Sequence, residues 1–137
     1  MDISNKKKFD IIIPCFNVEN IIEKSLDSIF SQEYSNDKFS VIAIDDGSTD
    51  NTSRSLNNYK SEKNFTVISF KSNKGLSKAR NQGIRSGNSE IICFVALTVS
   101  GALLAISSTY RVTKETISVH DTMRLIKPIC NASSELN

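Results

Sequence analysis

The alternation of short apolar runs with amphipathic segments constrains this chain most strongly. Phe9–Cys15 is a short apolar run of the kind typical of a strand buried on both faces, and Phe39–Ile44, Phe65–Phe70 and Ile91–Val95 are predicted to be three further strands. Apolar residues at helical spacing lie between these runs. The resulting β-α-β-α-β-α-β order predicts an α/β fold, in which a parallel sheet of at least four strands is covered by helices on both faces.

Turn and capping residues bound the predicted helices. The first is expected over about Glu19 to Gln32. The second follows candidate capping residues at positions 48–50 and carries Leu56 and Tyr59. The third ends at Gly87 and has an apolar face made of Leu76, Ala79, Gly83 and Ile84.

Right-handed crossovers place the carboxyl ends of all four strands at one edge of the sheet, where such folds bind their ligands. The stretches 14–17, 45–48 and 71–75 meet there and are polar, whereas the stretch 96–98 is not. The carboxylates of the Asp45-Asp46 pair are suited to accept hydrogen bonds from the edge of a nucleotide base and from a ribose diol. Alternatively, the pair forms a turn with a helix cap. Lys74 and Arg80 suit a pyrophosphate, or alternatively are ordinary surface charges.

Several function classes are excluded by composition and motif. The chain contains neither the G-x-G-x-x-G nor the G-x-x-x-x-G-K-[ST] phosphate loop, and its net charge of +2 does not indicate a nucleic-acid partner. The three cysteines, Cys15, Cys93 and Cys130, lack metal-ligand spacing and are expected to be buried free thiols. A receiver-type phosphoacceptor domain would need an acid pair at the end of the first strand and an Asp at the end of the third, where this chain has Cys15-Phe16-Asn17 and Lys71-Ser72-Asn73.

Four blocks in register carry a resemblance to a known family: IIIPCFNVENIIEKSLDSIFSQ, VIAIDDGSTDNT, NKGLSKARNQGI and SEIICF. Together they resemble the N-terminal half of a family 2 glycosyltransferase, over about Lys8 to Val95. The resemblance implies a GT-A/Rossmann-like fold. It also implies transfer of a sugar from a nucleotide-sugar, with a UDP-sugar expected, to a glycan, lipid or polysaccharide acceptor.

The resemblance also implies which residues bind the donor nucleotide. The block after the first strand approaches the base, the second residue of the Asp-Asp pair binds the uracil edge, and the G-L-S-x-A-R-N block lies beneath the ribose and pyrophosphate. The implied positions are Pro14, Phe16, Asn17, Glu19, Asp45, Asp46, Gly75, Arg80 and Asn81.

The chain departs from the family pattern after the fourth strand. There the family has an Asp-x-Asp motif, whose carboxylates hold Mn²⁺ or Mg²⁺ against the departing diphosphate. The matching residues are Ala96-Leu97-Thr98, and no Asp or Glu occurs between Ile91 and Lys114. We therefore expect no metal cofactor, no catalytic residue and no measurable transfer by this chain. His120 and Asp121 are interpreted as surface residues.

Three segments are expected: an N-terminal arm at residues 1–8, a nucleotide-sugar-binding domain at 9–96 and an atypical C-terminal segment at 97–137. A frameshift, rearrangement or divergence would leave a sheet that is truncated or altered after the fourth strand. Alternatively, the charge-free run Ile91–Tyr110 is a membrane anchor, or Leu97–Ile106 packs against the sheet as a helix or strand.

Residues 97–108 are the candidate surface for a membrane or a protein partner. The expected location is cytoplasmic, with the inner face of the membrane as the candidate peripheral site. The alternative function is a non-catalytic nucleotide-binding or interaction module that partners an intact transferase.

Overall fold

The computed structural model describes residues 9–31, 35–89, 91–97, 103–104 and 110–111. The strands β1 to β4 span Phe9–Cys15, Phe39–Asp45, Phe65–Ser69 and Ile91–Phe94. The helices α1 to α3 span Ile22–Phe30, Thr52–Asn57 and Leu76–Ser86. Three two-residue strands follow: β5 (Ala96–Leu97), β6 (Leu103–Leu104) and β7 (Tyr110–Arg111).

The main sheet has the strand order β3-β2-β1-β4-β7. Strands β1 to β4 are parallel, and β1 pairs with β2 from Phe9 opposite Phe39 to Cys15 opposite Asp45. The chain moves outward from β1 to β2 to β3, and then returns through α3 to place β4 on the other side of β1. The direction of winding therefore reverses between β1 and β4, and the predicted four-stranded parallel sheet is confirmed.

Helices cover both faces of the sheet, because side chains on each buried strand alternate between the two faces. On one face, α1 and α2 pack through Ile22, Leu26 and Leu56 over the first hydrophobic core. On the other face, α3 packs through Ala79 against Ile12 and the second core. Both faces of β1 are thus buried, which explains why its sequence is a nearly continuous apolar run.

The helix α3 ends at Ser86, just before Gly87 as predicted, whereas α1 and α2 are shorter than the sequence predicts. Residues 19–21 form a turn before α1, because the polar groups of Glu19 bond to the neighbouring loop rather than continuing a helix. Asn51 occupies the N-cap position of α2 without a side-chain capping bond, and the side chain of the predicted candidate Asp50 accepts the N–H of Thr52 at 2.9 Å. Tyr59 lies in the turn after α2, where its hydroxyl donates to Asp27 Oδ1 at 2.6 Å.

The region after β4 contains pairings that the sequence pattern does not predict. Strand β5 pairs with β6 as an antiparallel ladder, and β7 adds to the main sheet antiparallel to β4. Residues 91–94 and 96–97 are therefore strands and not part of a membrane helix. Among the described residues, no helix is long and apolar enough to cross a membrane.

Candidate functional site

The direction of winding reverses between β1 and β4, and doubly wound sheets bind ligands in the crevice beside the carboxyl ends of such a pair of strands. Phe16 follows β1 and is 43% exposed. Val95 follows β4, and its N–H donates to the carbonyl of Ile12 at 3.0 Å, which ties the end of β4 to β1. The loops that follow β2 and β3 meet the same edge.

The loop after β1 is hydrogen-bonded along its length to the loop before α2. Asn17 has a φ of 52°, and its side-chain oxygen accepts the N–H of Thr49 at 2.8 Å. The N–H of Glu19 donates to Asp50 Oδ2 at 3.2 Å, and Glu19 Oε2 in turn accepts the N–H of Asn51 at 2.7 Å. The polar groups of Asn17 and Glu19 thus hold the two loops together.

Asp45 is buried, and both of its carboxylate oxygens have protein donors. Oδ1 accepts the N–H of Ser48 at 3.0 Å, and Oδ2 accepts the hydroxyl of Ser53 in α2. This is the turn-and-cap arrangement that the sequence left open as an alternative for the acid pair. The carboxylate of Asp45 points into the loop and helix that follow β2.

Asp46 is also buried, and its carboxylate positions the loop after β3. Oδ1 accepts the N–H of Lys74 at 2.7 Å, and Oδ2 accepts the N–H of Gly75 at 2.9 Å. The Asp46 N–H donates to the Cys15 carbonyl at 2.8 Å. A single residue therefore links the ends of β1, β2 and the loop that leads into α3.

The space around Gly75 is open. This residue has a φ of 92°, and within the part of the chain that the structure describes no heavy atom would lie within 4 Å of a Cβ added to it, apart from its chain neighbours. Gly75 is the residue immediately before α3, and no side chain caps the helix there. The backbone at the start of α3 is thus accessible to a ligand approaching the crevice.

Arg80 lies in α3 above the end of β4, with its guanidinium carbon 5.4 Å from the centre of the Phe94 ring. The Nε atom is buried and has no hydrogen-bond partner among the described residues. Buried donors are nearly always satisfied in proteins, so this one indicates an acceptor supplied by a ligand or by water. Lys74 lies nearby in the chain with its ammonium 4.9 Å from the Phe70 ring centre.

The remaining predicted positions differ in exposure. Pro14 is half-buried within β1, opposite Ile44 of β2. Asn81 is exposed on α3, and the structure gives it no contact with the other predicted residues. The edge therefore brings together Phe16, Asp46 and Gly75, with Arg80 over the end of β4.

Burial and hydrogen bonding shift the pKa of two groups at this edge. Burial, and to a lesser extent the charge of Asp45, raises the pKa of the Cys15 thiol well above its usual range. Partial burial pushes the pKa of Asp50 upward, but the hydrogen bonds from Thr52 and Glu19 outweigh this effect and hold the pKa below its usual value. Cys15 and Cys93 are both buried free thiols, as predicted, while Cys130 lies outside the described residues.

The residues present do not fit the metal that the family resemblance implies. Residues 95–97, which follow β4, carry no carboxylate. No group of three or more His, Cys, Asp or Glu side chains within the described ranges is arranged to hold a metal ion. Each carboxylate oxygen of Asp45 and Asp46 already accepts a hydrogen bond from the protein. His120 and Asp121 lie outside the described residues.

Four residues with structural roles at this edge were not among the predicted site positions. Ser48, Asp50, Thr52 and Ser53 supply the donors and acceptors that the loops before α2 use. The density of short polar side chains in S-T-D-N-T-S was the available signal, because such residues bond to nearby backbone groups at helix starts.

Sequence comparison finds relatives among bacterial glycosyltransferases. The poly(ribitol-phosphate) beta-N-acetylglucosaminyltransferase TarS of Staphylococcus aureus is 33% identical over 89 residues, covering 64% of this chain and 16% of TarS. The poly(ribitol-phosphate) beta-glucosyltransferase of Bacillus spizizenii is 38% identical over 90 residues, covering 64% of this chain and 14% of the relative. The chain thus spans about a sixth of the length of these curated relatives.

Structural comparison agrees with the sequence. The crystal structure of residues 1–349 of S. aureus TarS in complex with UDP-GlcNAc superposes with a TM-score of 0.62 and 32% identity. The match covers 65% of this chain and 26% of that structure. The sequence model of the family described as "Glycosyl transferase family 2" matches residues 10–96, a range that includes all three helices, β2 to β4 and all of β1 except Phe9. The chain belongs to glycosyl transferase family 2.

Proposed function

We propose that residues 9–96 form the donor-binding part of a glycosyltransferase and bind a nucleoside diphosphate-sugar, with UDP as the nucleotide. The observation that carries this proposal is Arg80, whose cationic side chain has no anionic partner among the described residues and whose Nε lacks an acceptor. A diphosphate in the crevice would supply both the charge and the acceptor.

The other groups at the edge suit the rest of the donor. Phe16 is exposed and offers a ring face on which a base can stack. The open space at Gly75 allows the ribose or a phosphate to approach the start of α3. Asp46 holds this loop in place through two N–H groups, and each carboxylate oxygen keeps a further lone pair for a donor on the base.

The sugar-transfer step is not assigned to this chain. The carboxylates that would neutralise a departing diphosphate through a metal are missing after β4, so we expect donor binding without measurable transfer. The acceptor class proposed from the relatives is a glycan or polyol-phosphate polymer.

A substitution at Arg80 tests the proposal. Arg80→Gln removes the charge and should weaken UDP binding by about tenfold or more, because charge-assisted hydrogen bonds to phosphate contribute about 1.5–3 kcal/mol. The matched control is Arg85→Gln, on an exposed part of the same helix, which should leave UDP affinity within about twofold. Calorimetric titration measures both. Equal affinities for the wild type and Arg80→Gln would contradict the proposal.

A second function, a non-catalytic module that partners an intact transferase, is favoured by the lack of any Asp or Glu between Ile91 and Lys114. Sedimentation with a full-length family 2 transferase tests it. Formation of a complex would support this function, and independent sedimentation of the two proteins would argue against it.

A further inference from the structure

The cations and acids of this chain are segregated along the sequence. Residues 63–89 contain six cations and no acid, whereas residues 19–62 contain nine acids and four cations. The first stretch includes β3, the loop after it and α3, and the second includes α1, β2 and α2. The surface that carries α3 is therefore basic, and the opposite surface is mixed.

Four of the six cations form what we call the basic surface: Lys71, Lys74, Lys78 and Arg85. All four side chains are exposed, and none forms an ion pair among the residues that the structure describes. Two described acids contact the loops at the ends of α3, and both carboxylates are buried and accept backbone N–H groups: Asp46 from Lys74 and Asp10 from Ser89. The basic surface is thus available to an external anion.

Two of the four cations lie on α3, and the other two lie in the loop that leads into it. Lys78 and Arg85 are seven residues apart on α3, which places them on the same side of the helix and about 10 Å apart along its axis. Lys71 and Lys74 precede the helix in the loop after β3, at the carboxyl edge of the sheet. The series of cations therefore begins beside the crevice and extends along α3.

We propose that the basic surface binds an anionic polymer with repeated phosphate groups and directs it toward the crevice. Repeated charges suit a polymer because each phosphate can meet a separate cation. The surface lacks the apolar side chains that insert into a lipid bilayer, since Leu76 is its one large apolar residue that the structure shows exposed. It also lacks exposed aromatic rings for stacking bases, because Lys74 covers Phe70.

The proposal has two parts. The role of the polymer as the acceptor rests on the proposed function, but the binding of the polymer to the basic surface does not. The two are therefore tested by separate titrations. Long-chain inorganic polyphosphate is the probe for the basic surface, and UDP is the probe for the crevice. Loss of UDP binding with polyphosphate binding intact would remove the acceptor role and leave the surface assignment standing.

The variant Lys71→Gln/Lys78→Gln/Arg85→Gln tests the surface, with Lys74 kept because it lies next to Gly75. The matched control is Lys24→Gln/Arg54→Gln/Lys60→Gln, which removes three exposed cations from the α1 and α2 side. The two variants have the same net charge. The first should weaken polyphosphate binding at low salt by about tenfold or more, and the control by less than about threefold. UDP affinity should be unchanged in both.

Three outcomes would overturn the proposal. The first is equal weakening in the two variants, which would mean that net charge alone attracts the polymer. The second is no polyphosphate binding by the wild type at low salt. The third is binding to phosphatidylglycerol vesicles that requires the side chains of the basic surface, without binding to polyphosphate. This result would assign the basic surface to a membrane.

Discussion

Two glycines at the carboxyl edge adopt positive φ in different surroundings. Gly47 has a φ of 69°, and a Cβ there would overlap the backbone of Ser72 and Asn73 in the loop after β3. Gly75 has a φ of 92°, and a Cβ there would meet open space. The first glycine therefore permits two loops to touch, while the second leaves room at the crevice.

Alanine substitutions should separate these two roles. Gly47→Ala combines backbone strain with overlap and should lower the free energy of unfolding by about 2–4 kcal/mol. Gly75→Ala carries only the strain and should lower it by about 1–2 kcal/mol, while weakening UDP binding because the added methyl group enters the open space. Urea unfolding and UDP titration measure the two effects. Equal stability of the two variants would contradict the contact at Gly47.

The residue scale is also where sequence reasoning reached its limit. The order of the apolar runs predicted which residues reach the carboxyl edge, because β-α crossovers have a fixed hand. It did not predict that Glu19 accepts the N–H of Asn51, or that Asp45 faces Ser53, because these contacts depend on how two loops meet in space. The nucleotide-binding assignment of these residues stays a prediction.

At the scale of elements, the loop after β1 and the start of α2 form one unit. Glu19 and Asp50 exchange hydrogen bonds with the opposite loop, and Thr52 accepts the N–H of Val18 at 2.8 Å. The unit fixes the position of Phe16 at the end of β1, because Val18 and Glu19, which follow Phe16, are hydrogen-bonded to the start of α2 and the loop before it.

Substitutions at Glu19 test this unit. Glu19→Ala removes the acceptor for the Asn51 N–H at the cap of α2 and should lower stability by about 1 kcal/mol. Glu19→Gln retains a side-chain oxygen and should lose less than half of that amount. Urea unfolding at neutral pH compares the two. Equal losses for Ala and Gln would mean that the charge of Glu19, and not its hydrogen bond, stabilises the fold.

The contact between α3 and β1 depends on a small residue. A Cβ at Gly83 would overlap the Ile12 side chain, which is fully buried. Gly83→Ala should therefore lower stability by about 1–2 kcal/mol, although alanine is the better helix former. Arg85→Ala, on the exposed side of the same helix, should change stability by less than about 0.5 kcal/mol. Thermal unfolding measures both. A Gly83→Ala variant more stable than the wild type would show that α3 can shift away from Ile12 without loss of stability.

At the scale of the whole molecule, the sheet buries ionisable groups on both faces. Burial, with a smaller effect from the charge of Asp10, raises the pKa of the Cys93 thiol to about 11. Asp10 itself accepts the N–H and the hydroxyl of Ser89, which fixes the chain just before β4. The protonated thiol is therefore part of the folded state.

Stability should fall in alkaline solution because of this thiol. The pKa of this thiol in the unfolded chain is about 8.5. Above that pH the unfolded chain loses a proton that the folded chain keeps, so the free energy of unfolding decreases with pH until the folded thiol also ionises near pH 11. Urea unfolding at pH 8 and at pH 10 should show a smaller decrease in Cys93→Ala than in the wild type. An identical decrease would contradict the shifted pKa.

The whole-molecule pattern was largely predictable up to β4 and much less so beyond it. Long apolar runs predicted the four parallel strands; β1, β2 and β4 are buried on both faces, whereas β3 at the edge of the sheet is partly exposed. The two-residue strands β5, β6 and β7 are too short to carry a periodic signal, so their antiparallel pairing could not be predicted from the sequence.

Calorimetric titration of the whole chain with UDP, in the presence and absence of Mn²⁺, tests most directly whether the donor crevice functions without a metal site. We predict UDP binding whose affinity changes by less than about twofold with Mn²⁺, because no Asp or Glu occurs between Ile91 and Lys114, where the family's metal-holding acids would stand. A strong increase in affinity with Mn²⁺ would show that an acid elsewhere in the chain reaches the diphosphate. The absence of UDP binding under both conditions would contradict the donor crevice itself.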